Sequence, residues 1–127
     1  MTSNLICACS SGKTYDNCCQ SYHQNTAVPQ TAEQLMRSRY CAYALHLIDY
    51  LWETTHPTKR NLYDKTAMEQ WAKANHWIDL EIVHADKKVV EFKAHYQKGL
   101  AKYVHHERST FKKEDGRWYY FSGDYFN

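Results

Sequence analysis

"WIDLEIVHADKKVVEFKAHY", residues 77–96, is where the hydrophobic period of this chain becomes two. In its first half Ile78, Leu80 and Ile82 alternate with Asp79 and Glu81; in its second Val90, Phe92, Ala94 and Tyr96 alternate with Glu91, Lys93 and His95. Successive side chains of a strand point to opposite faces, so both halves predict strands with one apolar and one wet face. Downstream, AKYVHHERSTF (101–111) and RWYYFSG (117–123) read as two further strands. The EDG at 114–116 predicts a tight hairpin turn, Asp-Gly being a strong signal for one, and QKG at 97–99 does similar work.

Upstream the period is helical. Thr31-Ala32-Glu33-Gln34 fits a capping box, and in the LMRSRYCAYALHL that follows Met36, Tyr40, Tyr43 and Leu47 share one stripe. Asp49 is placed to cap a second short helix, YLWETT. That helix ends before His56-Pro57, because a residue preceding proline avoids the α region. Asp64 or Thr66 starts a third helix running to about Asn75. Helices first and an antiparallel meander afterwards predict an α+β domain, residues 31–127, with helices packed on one face of the sheet.

Residues 7–19, CACSSGKTYDNCC, precede that domain, and QSYHQNTAVPQ (20–30) reads as a polar linker, its free part being 23–30. Four of the five cysteines, Cys7, Cys9, Cys18 and Cys19, fall inside the first stretch. Tight pairs at the ends of a short loop suit the tetrahedral demand of Zn²⁺, and backbone N–H groups of the intervening turn can stabilise thiolates. Disulfides are the alternative: adjacent cysteines pair only through a strained ring, and C-x-C fits the bond poorly, although cross-pairing stays open. The C-x-x-C spacing of a redox motif is absent. SGKT is no phosphate loop, since Cys7 stands where that motif needs glycine. His23 is close enough to substitute as a ligand, but four cysteines already fill the tetrahedron. Cys41 falls on the apolar helix and reads as packed.

Composition bounds the partners. The chain has 127 residues, 43% hydrophobic and 24% charged, with a formal net charge of +2. This suits a folded domain, and the charge is too mild to make nucleic acid the leading partner. The pairs Lys59–Arg60, Lys87–Lys88 and Lys112–Lys113 are scattered and interleaved with acids. Residues 1–6 lack a basic start and no apolar run nears membrane length, so the expectation is a cytoplasmic protein with no membrane partner.

The CACSSGKTYDNCC stretch resembles the SEC-C motif, a small zinc-binding module at the tail of the SecA translocation motor and on many bacterial proteins. The family pattern usually reads C-P-C-G-S-G-K-x-Y followed by C-C or C-H. Here Ala8 stands for the usual proline and Ser10 for the usual glycine, with Gly12, Lys13 and Tyr15 in place. The resemblance implies one structural Zn²⁺ on Cys7, Cys9, Cys18 and Cys19, within a motif spanning 1–22.

EQLMRSRYCAYAL, LWETTHP and HERSTF…GRWYYFSG in turn resemble the YchJ-like family, bacterial proteins that join a SEC-C motif to a nuclear-transport-factor-two-like domain. Some members carry a second cysteine cluster at the C-terminus; this sequence ends GDYFN, so one zinc site is expected. The implied cone-shaped fold has a concave sheet face closed by helices.

Alternation puts His105, Glu107, Ser109 and Phe111 on one face of the third strand, and Arg39, Tyr40, Tyr43, His56 and Trp77 are candidates to complete a pocket with them. The leading expectation is a non-enzymatic module. Its knuckle would meet a protein partner, or less readily nucleic acid, and its cone would take a small ligand or form a homodimer face. The alternative is a small hydrolase or isomerase with Glu107 or His56 as general base. A structural reading of Glu107 pairs it with Arg37 or Arg39.

Overall fold

The structure is a computed structural model and describes residues 5–126. Helix α1 spans Gln20–His23, α2 Ala32–Leu45, α3 Ile48–Glu53 and α4 Lys65–Ala74; strands β1 to β4 follow as His76–Ala85, Val89–Lys98, Ala101–Glu114 and Arg117–Phe126. The strands form one antiparallel sheet in the order β1-β2-β3-β4. Short 3-10 turns occupy Tyr15–Asn17 and Pro57–Leu62. No helix among the described residues is long and apolar enough to cross a membrane.

Two of the predicted caps are found; Asp49 is not one, since it lies inside α3, whose N-cap position is Leu47 with no side-chain bond. The Thr31 side chain accepts from Gln34 N at the start of α2, and Asp64 does the same for Thr66 N at the start of α4. Gln34 turns its own side-chain oxygen to Gln30 N. In the β3–β4 turn Asp115 and Gly116 take φ of 51° and 80°, the left-handed pair a two-residue hairpin turn requires.

Helix α2 is buried on more than the predicted stripe. Leu35, Ser38, Cys41 and Ala42 are buried as well as Met36 and Tyr40, because the sheet covers one side while the N-terminal loop and α3 cover the other. Tyr43 is half-buried, and Leu47 lies beyond the helix, whose cap His46 has φ 62°.

Two features depart from simple alternation. The β1–β2 register shifts between Trp77 and Asp79 and again between Ile82 and His84, so Ile78 and Val83 are each the extra residue of a bulge. Trp77, Leu80, Ile82 and Ala85 therefore share the helix-covered face, while Ile78, expected inside, is 45% exposed. A third bulge lies in β4, where Thr110 pairs Ser122 but Phe111 pairs Tyr120, leaving Phe121 unmatched. Bulges bend the strand that carries them and sharpen its twist, which suits the concave sheet this fold requires.

The stretch 23–30 is exposed over 24–27 and anchored at its ends. His23 ends α1, Pro29 is buried, and Trp118 Nε1 donates to Gln30 O at 3.2 Å.

Candidate metal centre and cone cavity

The N-terminal loop closes on itself through backbone bonds. Cys7 N donates to Lys13 O at 2.8 Å and Tyr15 N to Leu5 O at 2.8 Å. Between them Ser10 has φ 67° and Gly12 φ 88°. Ser10 stands where the related pattern has glycine, and an L-residue is disfavoured there; its hydroxyl is used, accepting from Leu80 N at 2.9 Å on the open edge of β1.

The folding of this loop brings the four predicted sulfurs together. The Sγ atoms of Cys7, Cys9, Cys18 and Cys19 all lie within 4.8 Å of one another, with Cys9–Cys18 at 3.5 Å and Cys18–Cys19 at 3.9 Å. A tetrahedral ion with metal–sulfur bonds near 2.3 Å sets its sulfurs about 3.8 Å apart, so the residues fit one metal ion. All five cysteines are free thiols.

Crowding splits their acidity. Cys7 is held down to about 6, chiefly by a hydrogen bond from Cys19, while burial pushes Cys18 up to about 11, and Cys19, which donates to Cys41 and Cys7, is pushed up. Four thiolates so close repel one another unless a cation compensates them.

Sequence reasoning missed how the loop docks. Cys41 Sγ lies 3.8 Å from Cys7 Sγ and is fully buried against the cluster, a placement with no local signal. Arg37 Nη1 donates to Cys9 O at 2.8 Å, which brings a guanidinium beside the knuckle. His23 is no ligand: its Nε2–H donates to Ser38 O at 2.8 Å, so Nδ1 accepts from Tyr15 OH at 2.7 Å. Burial holds His23 below the ordinary histidine range and pushes Tyr15 up to about 12.

The second site is a cavity of about 240 Å³ on the concave face, under α2 and α4. Of the predicted lining, the structure brings Arg39, Tyr40, Tyr43, Trp77, His105, Glu107 and Ser109 together there, joined by Tyr63, Trp71, Phe92, Tyr120 and Tyr125. Phe111 is fully buried in the core below it.

His56 does not reach the cavity. It follows the edge pairing of 54–56 with β4, where His56 N donates to Tyr120 O and Tyr120 N to Thr54 O, each at 2.8 Å. Tyr120, partner of Phe111, shares the Glu107 face, and beyond the Phe121 bulge Gly123 and Tyr125 are brought to that face too; Tyr119 and Phe121 lie on the other face, where His56 packs edge-on to both rings. There Thr58 N donates to its Nδ1, and its Nε2–H donates to Glu114 Oε1 at 2.7 Å.

Glu107 pairs with neither arginine. Arg37 bonds Glu33, and Arg39 Nη1 donates to Leu51 O at 2.9 Å and Thr54 Oγ1 at 2.7 Å. Glu107 Oε1 instead accepts from His105 Nε2 at 2.8 Å, and Oε2 from Ser109 Oγ at 2.6 Å and Tyr120 OH at 2.8 Å. Burial raises the carboxyl, but these donors outweigh it and hold Glu107 below its usual range. Gly123 makes room: a Cβ there would collide with Glu107 Oε2 and stand 2.6 Å from Tyr120 OH. Burial pushes Tyr40, Tyr43 and Tyr120 up, so these phenols stay protonated. The Tyr40 hydroxyl is buried without a hydrogen-bond partner.

Comparison with known proteins agrees with this geometry. A UPF0225 protein of Actinobacillus succinogenes is 46% identical over 121 residues, covering 91% of this chain and 79% of that one. A UPF0225 protein of Vibrio parahaemolyticus is 38% identical, covering 94% and 74%. The solution structure of a SEC-C motif containing protein from Rhodopseudomonas palustris superposes with a TM-score of 0.87 at 40% identity, covering 95% of this chain and 98% of that one. The crystal structure of a SEC-C motif containing protein from Psychrobacter arcticus gives 0.83 at 34%, covering 95% and 82%. With residues 31–123 matching the model of the YchJ middle NTF2-like domain, the chain belongs to the YchJ-like family of SEC-C motif proteins.

Proposed function

We propose that this protein is a non-enzymatic binding module built on one structural Zn²⁺, held by Cys7, Cys9, Cys18 and Cys19. The observation that carries the reading is the convergence of four sulfurs within 4.8 Å. An ion there has every tetrahedral position taken by sulfur, the closed shell of a scaffold site; a catalytic zinc keeps a position open. Zinc suits an all-thiolate set, and because the ligands must be deprotonated together, its binding free energy becomes folding free energy for the knuckle.

The knuckle presents a surface to a protein partner. Supporting this, Leu5 and Ile6, at its outer edge, are 62% and 65% exposed. Apolar side chains adjoining a rigid metal-bound loop suit protein docking better than nucleic acid, for which the mild net charge gives little electrostatic footprint. The cone cavity is a ligand pocket on this reading. A carboxylate held ionised by three donors is a poor general base, and His56 is engaged elsewhere with Glu114.

The test is elemental analysis of protein purified under reducing conditions. Wild type is expected to carry about one zinc per chain and Cys18→Ser well under half of that. Wild-type protein without metal in the reduced state overturns the reading.

A further inference from the structure

We infer that the cavity beside Glu107 takes a small organic cation, an alkylated or quaternary ammonium group, with its charge toward the carboxylate and its methyl groups on aromatic faces. This rests on the reading of the cone as a ligand pocket and adds the ligand's chemical class.

The sheet register makes the site. Across the four strands Ile82, Phe92, Glu107 and Tyr125 are mutual partners, so the carboxylate stands in one row between two aromatic rings. Helices bring Tyr43 and Trp71 over this row, and Tyr63 and Trp77 close the sides. The rings are braced by edge contacts: Trp71 on Trp77 at 6.0 Å and Tyr63 on Tyr120 at 6.4 Å between centroids. Ring faces carry negative quadrupole density and attract cations, most strongly where water is excluded. Anions gain nothing from such walls.

Glu107 supplies the fixed charge. An ionised carboxylate offers about four acceptor positions, and His105, Ser109 and Tyr120 use three, two of them on Oε2. One remains, on Oε1. Glu107 is 5% exposed and pairs with no lysine or arginine among the described residues; the one cationic partner it has there is His105, a counter-ion only when that imidazole is protonated, so a buried anion has no permanent counter-charge.

Arg39 does not fill that role. Its Cζ lies 4.7 Å from the centroid of the Tyr120 ring, on the ring's face, whereas Glu107 is met by the hydroxyl edge of the same ring. Arg39 spends Nη1 on Leu51 O and the hydroxyls of Thr54 and Thr55. Arg39 defines the rival occupant, a small carboxylate.

The experiment titrates three probes of one shape into the full metal-loaded chain: choline, its uncharged carbon isostere 3,3-dimethylbutan-1-ol, and 3,3-dimethylbutyrate. The indole N–H resonance of Trp77 reports occupancy by NMR. Choline is expected to shift it saturably, with the alcohol at least about tenfold weaker and the carboxylate weaker still. Glu107→Gln is expected to weaken choline by about tenfold or more while leaving the alcohol unchanged. If that variant does not fold, Trp71→Leu serves instead, since Trp71 is 41% exposed and its loss spares the core; it too weakens choline selectively.

Equal or tighter binding of the alcohol or the carboxylate overturns the cation and leaves a ligand pocket standing. No saturable shift with any probe, in chains carrying their full zinc, overturns the inference and the pocket reading together while leaving the knuckle intact.

Discussion

Gly123→Ala is the most exacting probe of the Glu107 site, because it adds one methyl group at a point where the structure has no room. The added Cβ would overlap Glu107 Oε2 and lie 2.7 Å from Glu107 Cδ. Strand β4 cannot retreat, since Gly123 is paired with Ser109 in the ladder. The carboxylate must swing away, and the bonds from Ser109 Oγ and Tyr120 OH to Oε2 go with it. Each hydrogen bond to a buried charge contributes about 1.5–3 kcal/mol. Against this, replacing glycine in extended backbone returns about 0.4–1 kcal/mol by restricting the unfolded chain. The net cost is about 2–5 kcal/mol, and a melting point about 10 °C lower for a domain of this size.

The same substitution in a Glu107→Ala background meets no carboxylate. The Tyr120 hydroxyl, 2.6 Å from the added Cβ, is released from Glu107 there and can turn aside, so the cost falls below about 1 kcal/mol or changes sign, giving a coupling of at least about 1 kcal/mol in a double-mutant cycle. Urea unfolding followed by tryptophan fluorescence, with zinc present throughout, measures all four corners. A Gly123→Ala cost that is the same in both backgrounds, to within about 0.5 kcal/mol, refutes the assigned position of the carboxylate.

Cys41→Ala is expected to retain about one zinc per chain while lowering stability by about 1–2 kcal/mol, from lost packing beside Cys7; loss of the metal would make Cys41 a ligand. His23 is expected to titrate below the ordinary value of about 6.5, because its folded-state pKa is depressed by burial. The sign follows: its stabilising contribution is complete above pH 6.5 and declines as pH falls through that value toward the folded pKa. Imidazole NMR reads the titration, and a midpoint at or above 6.5 contradicts the buried bridge between Tyr15 and Ser38.

What the sequence reveals and hides divides along the range of the interaction concerned. Cysteine spacing, the Thr31 and Asp64 caps and the Asp115-Gly116 turn are set within a few residues, and each is found in the structure as read. Bulges are not written in alternation. An extra residue at Ile78, Val83 or Phe121 leaves the local pattern looking regular while reversing the faces beyond it. Alternation puts Ile78 inside for that reason, and a sequence reading puts His56 in the cavity because nothing local shows that 54–56 pair with the edge of β4, which carries His56 to the face of Tyr119 and Phe121. Charge alone suggests an arginine partner for Glu107, yet its better partners are legible: His105 and Ser109 stand two residues away on the same face of β3. Only Tyr120, on the neighbouring strand, requires the fold.

The placement of α2 joins the two sites into one argument. Arg37, Ser38 and Cys41 face the knuckle and its docking helix, bonding Cys9 O, receiving His23 and packing on Cys7. Arg39, Tyr40 and Tyr43, interleaved with them, line the cavity. A helix so short cannot loosen on one side and hold its rotation on the other, because the same backbone sets both faces. Ser38 makes the link specific: its hydroxyl donates to Leu35 O and so accepts from Tyr50 OH at 2.6 Å, while its carbonyl takes the bond from His23. The cysteine loop thereby forms an outer wall that packs α2 against the sheet. A change at the cysteine cluster therefore reaches the cavity through α2.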